Sequence, residues 1–186
     1  MSRTLQLPPA KREVERYYDV IAESYDELHG EEQKVKYIEG LKAAGGKVSG
    51  VVLDAGCGTA LLAEHLEGYE ELISVDISRG MLRKAKAKTL DKPNVHLVRC
   101  DVEFLPFPSE AFDACLAFTV LQNLPNPEVA LAEIDRVSKP KAYVAVTLMD
   151  GNPRLPTAEE AARSLKLMVS SKVKVGRETV LSGFKG

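Results

Sequence analysis

Tryptophan is absent from this chain of 186 residues, asparagine and glutamine together number only seven, and cysteine occurs three times, at Cys57, Cys100 and Cys115. Three cysteines without metal-ligand spacing, each in an apolar or glycine-rich stretch, argue against a disulfide framework and against a metal site; they read as buried thiols in a reducing compartment. No apolar run approaches the ~20 residues that a membrane span requires. Residues 1–16 are polar and charged with no apolar segment, so no secretory signal is expected and the cytoplasm is the expected location. A large excess of one charge is also missing. The net charge of −2 disfavours a strongly electrostatic nucleic-acid binder, although it leaves a nucleic-acid partner open. Residues 151–186 carry 7 basic and 3 acidic groups, a mildly basic edge that reads as solvated surface.

The length suits one domain with a single core. Residues 11–26 read as a helix carrying Val14, Tyr17, Tyr18, Ile21, Ala22 and Tyr25 at helical spacing, and residues 31–44 as a second helix stopped at Gly45-Gly46. Short apolar runs then alternate with helical stretches. Strands are expected at 51–53, 72–75, 95–99, 112–118 and 143–148, and helices at 60–67, 78–88 and 126–138. This rhythm predicts βαβ units and a parallel sheet. The chain then offers a helix over 157–169 and two strands, 172–175 and 178–181, around Gly176-Arg177, a pair suited to a type II′ hairpin turn.

Three carboxylates fall at the ends of successive predicted strands, where open α/β sheets place their ligands. Asp54 opens the turn Asp54-Ala55-Gly56-Cys57-Gly58, whose glycines let a ligand lie on bare backbone, or serve only a tight strand-to-helix turn. Asp76 can accept hydrogen bonds from both ribose hydroxyls of a nucleoside, or merely cap the next helix. Asp101, followed by the Val102 amide, can read adenine, or simply sit in a turn. The Gly-x-Gly-x-x-Gly pattern of dinucleotide sites is broken, because Leu61 stands where the third glycine belongs. Asp54 would also repel a pyrophosphate, whereas it suits a cationic ligand such as S-adenosylmethionine.

With these residues the chain resembles the class I S-adenosylmethionine-dependent methyltransferases, over about residues 18–149. The resemblance rests on Val52-Leu53-Asp54-Ala55-Gly56-Cys57-Gly58-Thr59, Val75-Asp76-Ile77-Ser78 with Met81-Leu82, Asp101-Val102, Leu105-Pro106-Phe107-Pro108, Ala111-Phe112-Asp113 and, upstream, Tyr18-Asp19 and Ala22-x-x-Tyr25-Asp26. It implies an α/β, Rossmann-like, doubly wound and mostly parallel seven-stranded sheet with a C-terminal antiparallel hairpin. It implies one domain over 1–186, made of an N-terminal helical lid (1–46), a cofactor-binding core (51–150) and a C-terminal helix and hairpin (151–186). The cofactor it implies is S-adenosylmethionine, with S-adenosylhomocysteine as product. Gly56 and its neighbours Ala55, Cys57 and Gly58 would face the methionine part, Asp76 the ribose, and Ile77 and Met81 the adenine. Tyr25 would close over the methionine carboxylate, and Phe118 joins the expected contacts. The chain departs from the family at Lys141-Ala142, where two glycines are usual, and at Gln122-Asn123, where a histidine often follows the fourth strand.

Methyl transfer from a sulfonium is downhill and needs chiefly alignment and exclusion of water, so no catalytic residue is required by the pattern. His29, Gln122 and Asn123 are the candidates for contacting an acceptor. A small-molecule acceptor is expected; the alternatives are RNA or protein methylation with a small partner subunit, and a non-catalytic cofactor-binding module. The helix over 11–29 is expected to act as a movable cover.

Overall fold

The computed structural model describes residues 8–46 and 48–186; the first seven residues of the expected lid lie outside the described part. Seven strands form one sheet in the order β3-β2-β1-β4-β5-β7-β6, from β1 (Val51–Ala55), β2 (Glu71–Asp76), β3 (Val95–Arg99), β4 (Phe112–Ala117), β5 (Ser138–Met149), β6 (Leu167–Val175) and β7 (Glu178–Lys185). Strands β1 to β5 pair in parallel, and β7 runs antiparallel to both β5 and β6. The expected parallel sheet with an antiparallel edge is therefore present. The strands that carry continuous apolar runs are the fully buried ones: Val52, Leu53, Leu72, Val75, Leu116, Ala145 and Val146 have no exposed surface.

Helices cover both faces. On one, α2 (Tyr25–Leu41) and α3 (Arg79–Lys88) contribute Tyr37, Leu41 and Ala85 to a cluster with Leu72, Leu116 and Phe118. On the other, α4 (Pro127–Val137) and α5 (Ala158–Ser164) bring Leu131, Ile134 and Ala161 against Leu53, Cys115 and Val146. No helix among the described residues is long and apolar enough to cross a membrane.

Several boundaries differ from the sequence reading, each for a local reason. The expected helix over 11–26 is two: α1 (Pro9–Ile21) stops and α2 begins at Tyr25. Ser24 turns the chain at φ −103° and ψ 0°, and its amide and hydroxyl both reach the Ile21 carbonyl. The helix expected after the glycine turn is only a 3₁₀ turn, Leu61–Glu64, entered through Ala60 at φ +59°. Strand β5 starts directly at Ser138, and Lys141 is accommodated at φ +65° in an irregularity against β4, so the altered residues at 141–142 make a kink inside the strand. Helix α5 is short because Lys166, at φ +51°, turns the chain into β6, which takes up the Met168-Val169 pair. At the hairpin Gly176 has φ +58° and Arg177 stays at negative φ, as a II′ turn requires.

Helix α1 is attached in an unexpected way. Its buried residue is Lys11, which ion-pairs with Asp101 and with Glu103 (2.6 Å). One turn on, Glu15 meets Arg99 at 2.5 Å; a further turn on, Asp19 accepts from the Ser78 hydroxyl (2.6 Å) and the Gly80 amide (2.7 Å). Beyond the helix Glu23 meets Lys84 at 2.6 Å. A polar strip at i, i+4 spacing ties α1 across the ends of β2 and β3 and onto α3.

Candidate functional site

Between β1 and β4 the strand order reverses, and at the carboxyl ends of these strands a cleft opens under α1. About 670 Å³ of open space, solvent at its mouth included, lies within it. Of the residues singled out in the sequence, Tyr25, Gly56, Gly58, Asp76, Ile77, Met81, Asp101, Val102 and Phe118 line it, together with Asn123.

The glycine turn is built on β2. The amides of Gly56 and Cys57 both donate to the Val75 carbonyl, at 2.8 and 2.9 Å. Gly56 sits at φ +77°, and a Cβ there would come within 2.3 Å of Val120, so only glycine lets this turn pass under the cleft wall. Gly58 also needs positive φ, but a Cβ there would meet nothing within 4 Å; its open side faces space that a ligand can use. Asp54, Ala55 and Cys57 are buried and do not line the cleft. Burial pushes the Cys57 thiol well above its ordinary value, as it does Cys100 and Cys115, each to about 12; all three cysteines are free and buried.

Asp76 faces the cleft and also braces the backbone beside it. Its Oδ2 accepts from the Gly58 amide (2.9 Å) and its Oδ1 from the Ser78 amide (2.8 Å), while the carboxylate lines the cleft. The helix cap proper is Ser78, whose hydroxyl accepts from the Met81 amide at 3.0 Å. Burial raises the Asp76 carboxyl against the downward pull of these amides. Because the Gly58 amide is already engaged, and a 3₁₀ turn replaces the expected helix, the turn offers little to a pyrophosphate.

Asp54 is 3% exposed, and its Oδ2 finds no hydrogen-bond partner among the described residues. Burial, and then the Asp76 carboxylate, push its carboxyl up to about 8. A buried acid without a partner beside a bare-backbone turn fits a ligand that carries positive charge. Asp101 is less available than its position suggested: Lys11 holds Oδ2, and the Glu103 amide donates to Oδ1 at 3.0 Å.

The sequence reading missed Lys11, Val14, Tyr18, Thr119, Val120 and Leu124, all on the cleft wall. For Tyr18 the signal was the tyrosine spacing itself. For Thr119 there was none: it matters through its backbone, at φ +59°, rare for a β-branched residue. His29, Gln122 and Asn123 are brought together in a second chamber, which shares Tyr18, Tyr25, Thr119 and Asn123 with the first.

Against known proteins, the methyltransferase domain model matches residues 53–146. Demethylmenaquinone methyltransferase of Staphylococcus haemolyticus is 33% identical over 158 residues, covering 81% of this chain and 66% of that protein. The chain spans 65–66% of the length of the first curated relatives it matches. Among solved structures, an S-adenosylmethionine-dependent methyltransferase from Aquifex aeolicus has a TM-score of 0.63 at 25% identity, covering 97% of this chain and 100% of that one. The 1,6-didemethyltoxoflavin-N1-methyltransferase of Burkholderia thailandensis has a TM-score of 0.71 at 18% identity, covering 100% and 93%, and shows the same fold.

Proposed function

We propose, from the premise that this chain belongs to the class I S-adenosylmethionine-dependent methyltransferases, that it transfers a methyl group from S-adenosylmethionine to a small-molecule acceptor in the cytoplasm. The observation that carries the reading is the buried Asp54, without a partner for Oδ2, next to a glycine turn open to the cleft. In this proposal Gly56 and Gly58 give backbone to the methionine part, Asp54 supplies its negative charge from beneath, and Ala55 and Cys57 form the turn's underside. Asp76 takes the ribose, Ile77 and Met81 flank the adenine with Val102, and Phe118 and Tyr25 bound the reacting end. Asp101 meets the adenine amine once Lys11 shifts toward Glu103. When bound, the cofactor supplies an activated methyl on a sulfonium; the chain aligns it and keeps water out. The printed name of the Staphylococcus haemolyticus relative and the bound 1,6-didemethyltoxoflavin of the Burkholderia thailandensis structure support a small-molecule acceptor.

Calorimetry should show S-adenosylhomocysteine binding at least tenfold tighter than NAD, and labelled S-adenosylmethionine should pass its methyl to a small-molecule pool of a cell extract. Tighter NAD binding, or label found only in RNA or protein, would sink this reading.

Helix α1 is the lid of this site. The Glu15–Arg99 pair is half-buried and the Glu23–Lys84 pair just beyond the helix is exposed, each worth up to about 1 kcal/mol, so the buried Lys11 pairs and the Asp19 bonds to Ser78 and Gly80 are what a ligand would have to reinforce. Amide exchange over residues 9–21 should slow on adding S-adenosylhomocysteine. Equal rates with and without it would mean a fixed structural helix.

A further inference from the structure

The second chamber is bounded by the rings of Tyr17, Tyr18 and Tyr25 and floored by a buried polar cluster that α2, the end of β4 and β7 assemble. Lys36 is 1% exposed, Glu178 3% and Gln122 9%. The Lys36 ammonium meets Glu178 Oε1 at 2.7 Å, and Gln122 Nε2 donates to the same oxygen at 3.3 Å. Exchanging the Gln122 amide atoms would set two acceptors face to face, so Oε1 points away from Glu178, and it is buried with no partner among the described residues. Thr119, held at φ +59° and lining both chambers, places its hydroxyl 3.0 Å from Lys36 Nζ, 2.9 Å from Gln33 Nε2 and 3.3 Å from Glu178 Oε2.

Nothing in the fold requires this cluster. A buried ion pair contributes little stability over apolar residues of the same shape, and strained backbone persists where surrounding structure imposes it, often at binding sites. What the cluster presents is acceptor capacity: the Glu178 carboxylate, paired with the Lys36 ammonium that Glu32 also meets at 2.8 Å, and an amide oxygen lacking a donor. The walls are aromatic, with Tyr17 and Tyr18 centroids 5.2 Å apart and the Tyr25 and His29 rings 5.0 Å apart.

We infer that this chamber is the acceptor site and selects a flat aromatic ring carrying a hydroxyl group. The ring lies among Tyr17, Tyr18 and Tyr25, and the hydroxyl donates to Glu178 or Gln122 Oε1. This rests on the methyl-transfer reading, since the chamber meets the cofactor cleft at Thr119 and Tyr25.

The test uses the full chain saturated with S-adenosylhomocysteine and calorimetry with 2-naphthol, 2-methoxynaphthalene and naphthalene. 2-Naphthol should bind at least tenfold tighter than the two probes that lack a donor. The gap should shrink below threefold in Gln122→Leu, and in Glu178→Gln should narrow while S-adenosylhomocysteine binding persists. Equal binding of the three probes, or none, with normal S-adenosylhomocysteine affinity would overturn the acceptor assignment alone. Failure to bind S-adenosylhomocysteine at all would overturn the methyl-transfer reading beneath it.

Discussion

Asp54→Asn should weaken S-adenosylhomocysteine binding by about ten- to a hundredfold and, at the same time, raise the melting temperature of the ligand-free protein. The two effects have one cause. With its carboxyl pushed up to about 8 by burial and by Asp76, Asp54 holds a proton at neutral pH that the unfolded chain, with an ordinary value near 4, gives up. A folded-state value raised above the unfolded one means that stability is fully present below about pH 4. It declines as pH rises through 4 to 8, because the folded protein must retain, or pay to lose, that proton. Each tenfold in acidity is worth about 1.4 kcal/mol, so the cost at pH 7 is at most about 4 kcal/mol. An asparagine carries no titrating proton and avoids most of that cost, less whatever its amide loses by finding no partners. A gain of about 1–2 kcal/mol corresponds to roughly 3–6 °C in a chain of this size.

The ligand effect runs the other way. The ammonium of the ligand's amino-acid part favours the ionised carboxylate, so binding should expel close to one proton at pH 7, visible as a dependence of the calorimetric heat on buffer. Affinity should fall as pH is lowered from 7.5 to 6. A charge-assisted contact is worth about 1.5–3 kcal/mol, which gives the expected loss in Asp54→Asn. Wild-type affinity in that variant, with proton release unchanged, would remove Asp54 from the site.

How far the sequence could be read depended on the kind of signal. Strands β1 to β4 were legible because their apolar runs are short, contiguous and bounded by glycine, aspartate or proline. The glycine turn and the strand-end carboxylates Asp54, Asp76 and Asp101 were legible for the same reason: local spacing alone places them. Helix α1 misled. Its aromatic residues suggested an apolar inner face, yet its buried contact is Lys11 to Asp101 and Glu103, residues about ninety positions away. The cluster of Lys36, Thr119, Gln122 and Glu178 was illegible as a unit. Its members come from α2, the segment just past β4, and β7; Gln122 alone was singled out, by its place after the fourth strand, and the others carry no local pattern that distinguishes them from surface polar residues. Thr119 in particular is special only through a backbone angle that no propensity predicts.

Asp76→Ala should lower S-adenosylhomocysteine affinity at least tenfold, and it should also cost stability, because the carboxylate is part of the fold as well as of the cleft. A residue at a strand end contributes little to the core, and on that ground alone the fold would be indifferent to its loss. The carboxylate, however, holds the Gly58 amide at 2.9 Å and the Ser78 amide at 2.8 Å, so it pins the glycine turn to the start of α3. Hydrogen bonds to a charged group contribute about 1.5–3 kcal/mol each; with water able to enter the half-open cleft and satisfy the two amides, a net loss of about 1–3 kcal/mol is expected. Asp76→Asn is not a mild substitute. One oxygen can still accept, but the amide nitrogen must then face either the Gly58 or the Ser78 N–H, donor against donor. Comparing the two variants separates bracing from binding. If the carboxylate both braces and binds, affinity falls in each variant by more than the shift in melting temperature accounts for. If affinity is unchanged while the melting temperature drops, Asp76 serves the turn alone and the ribose must be held elsewhere.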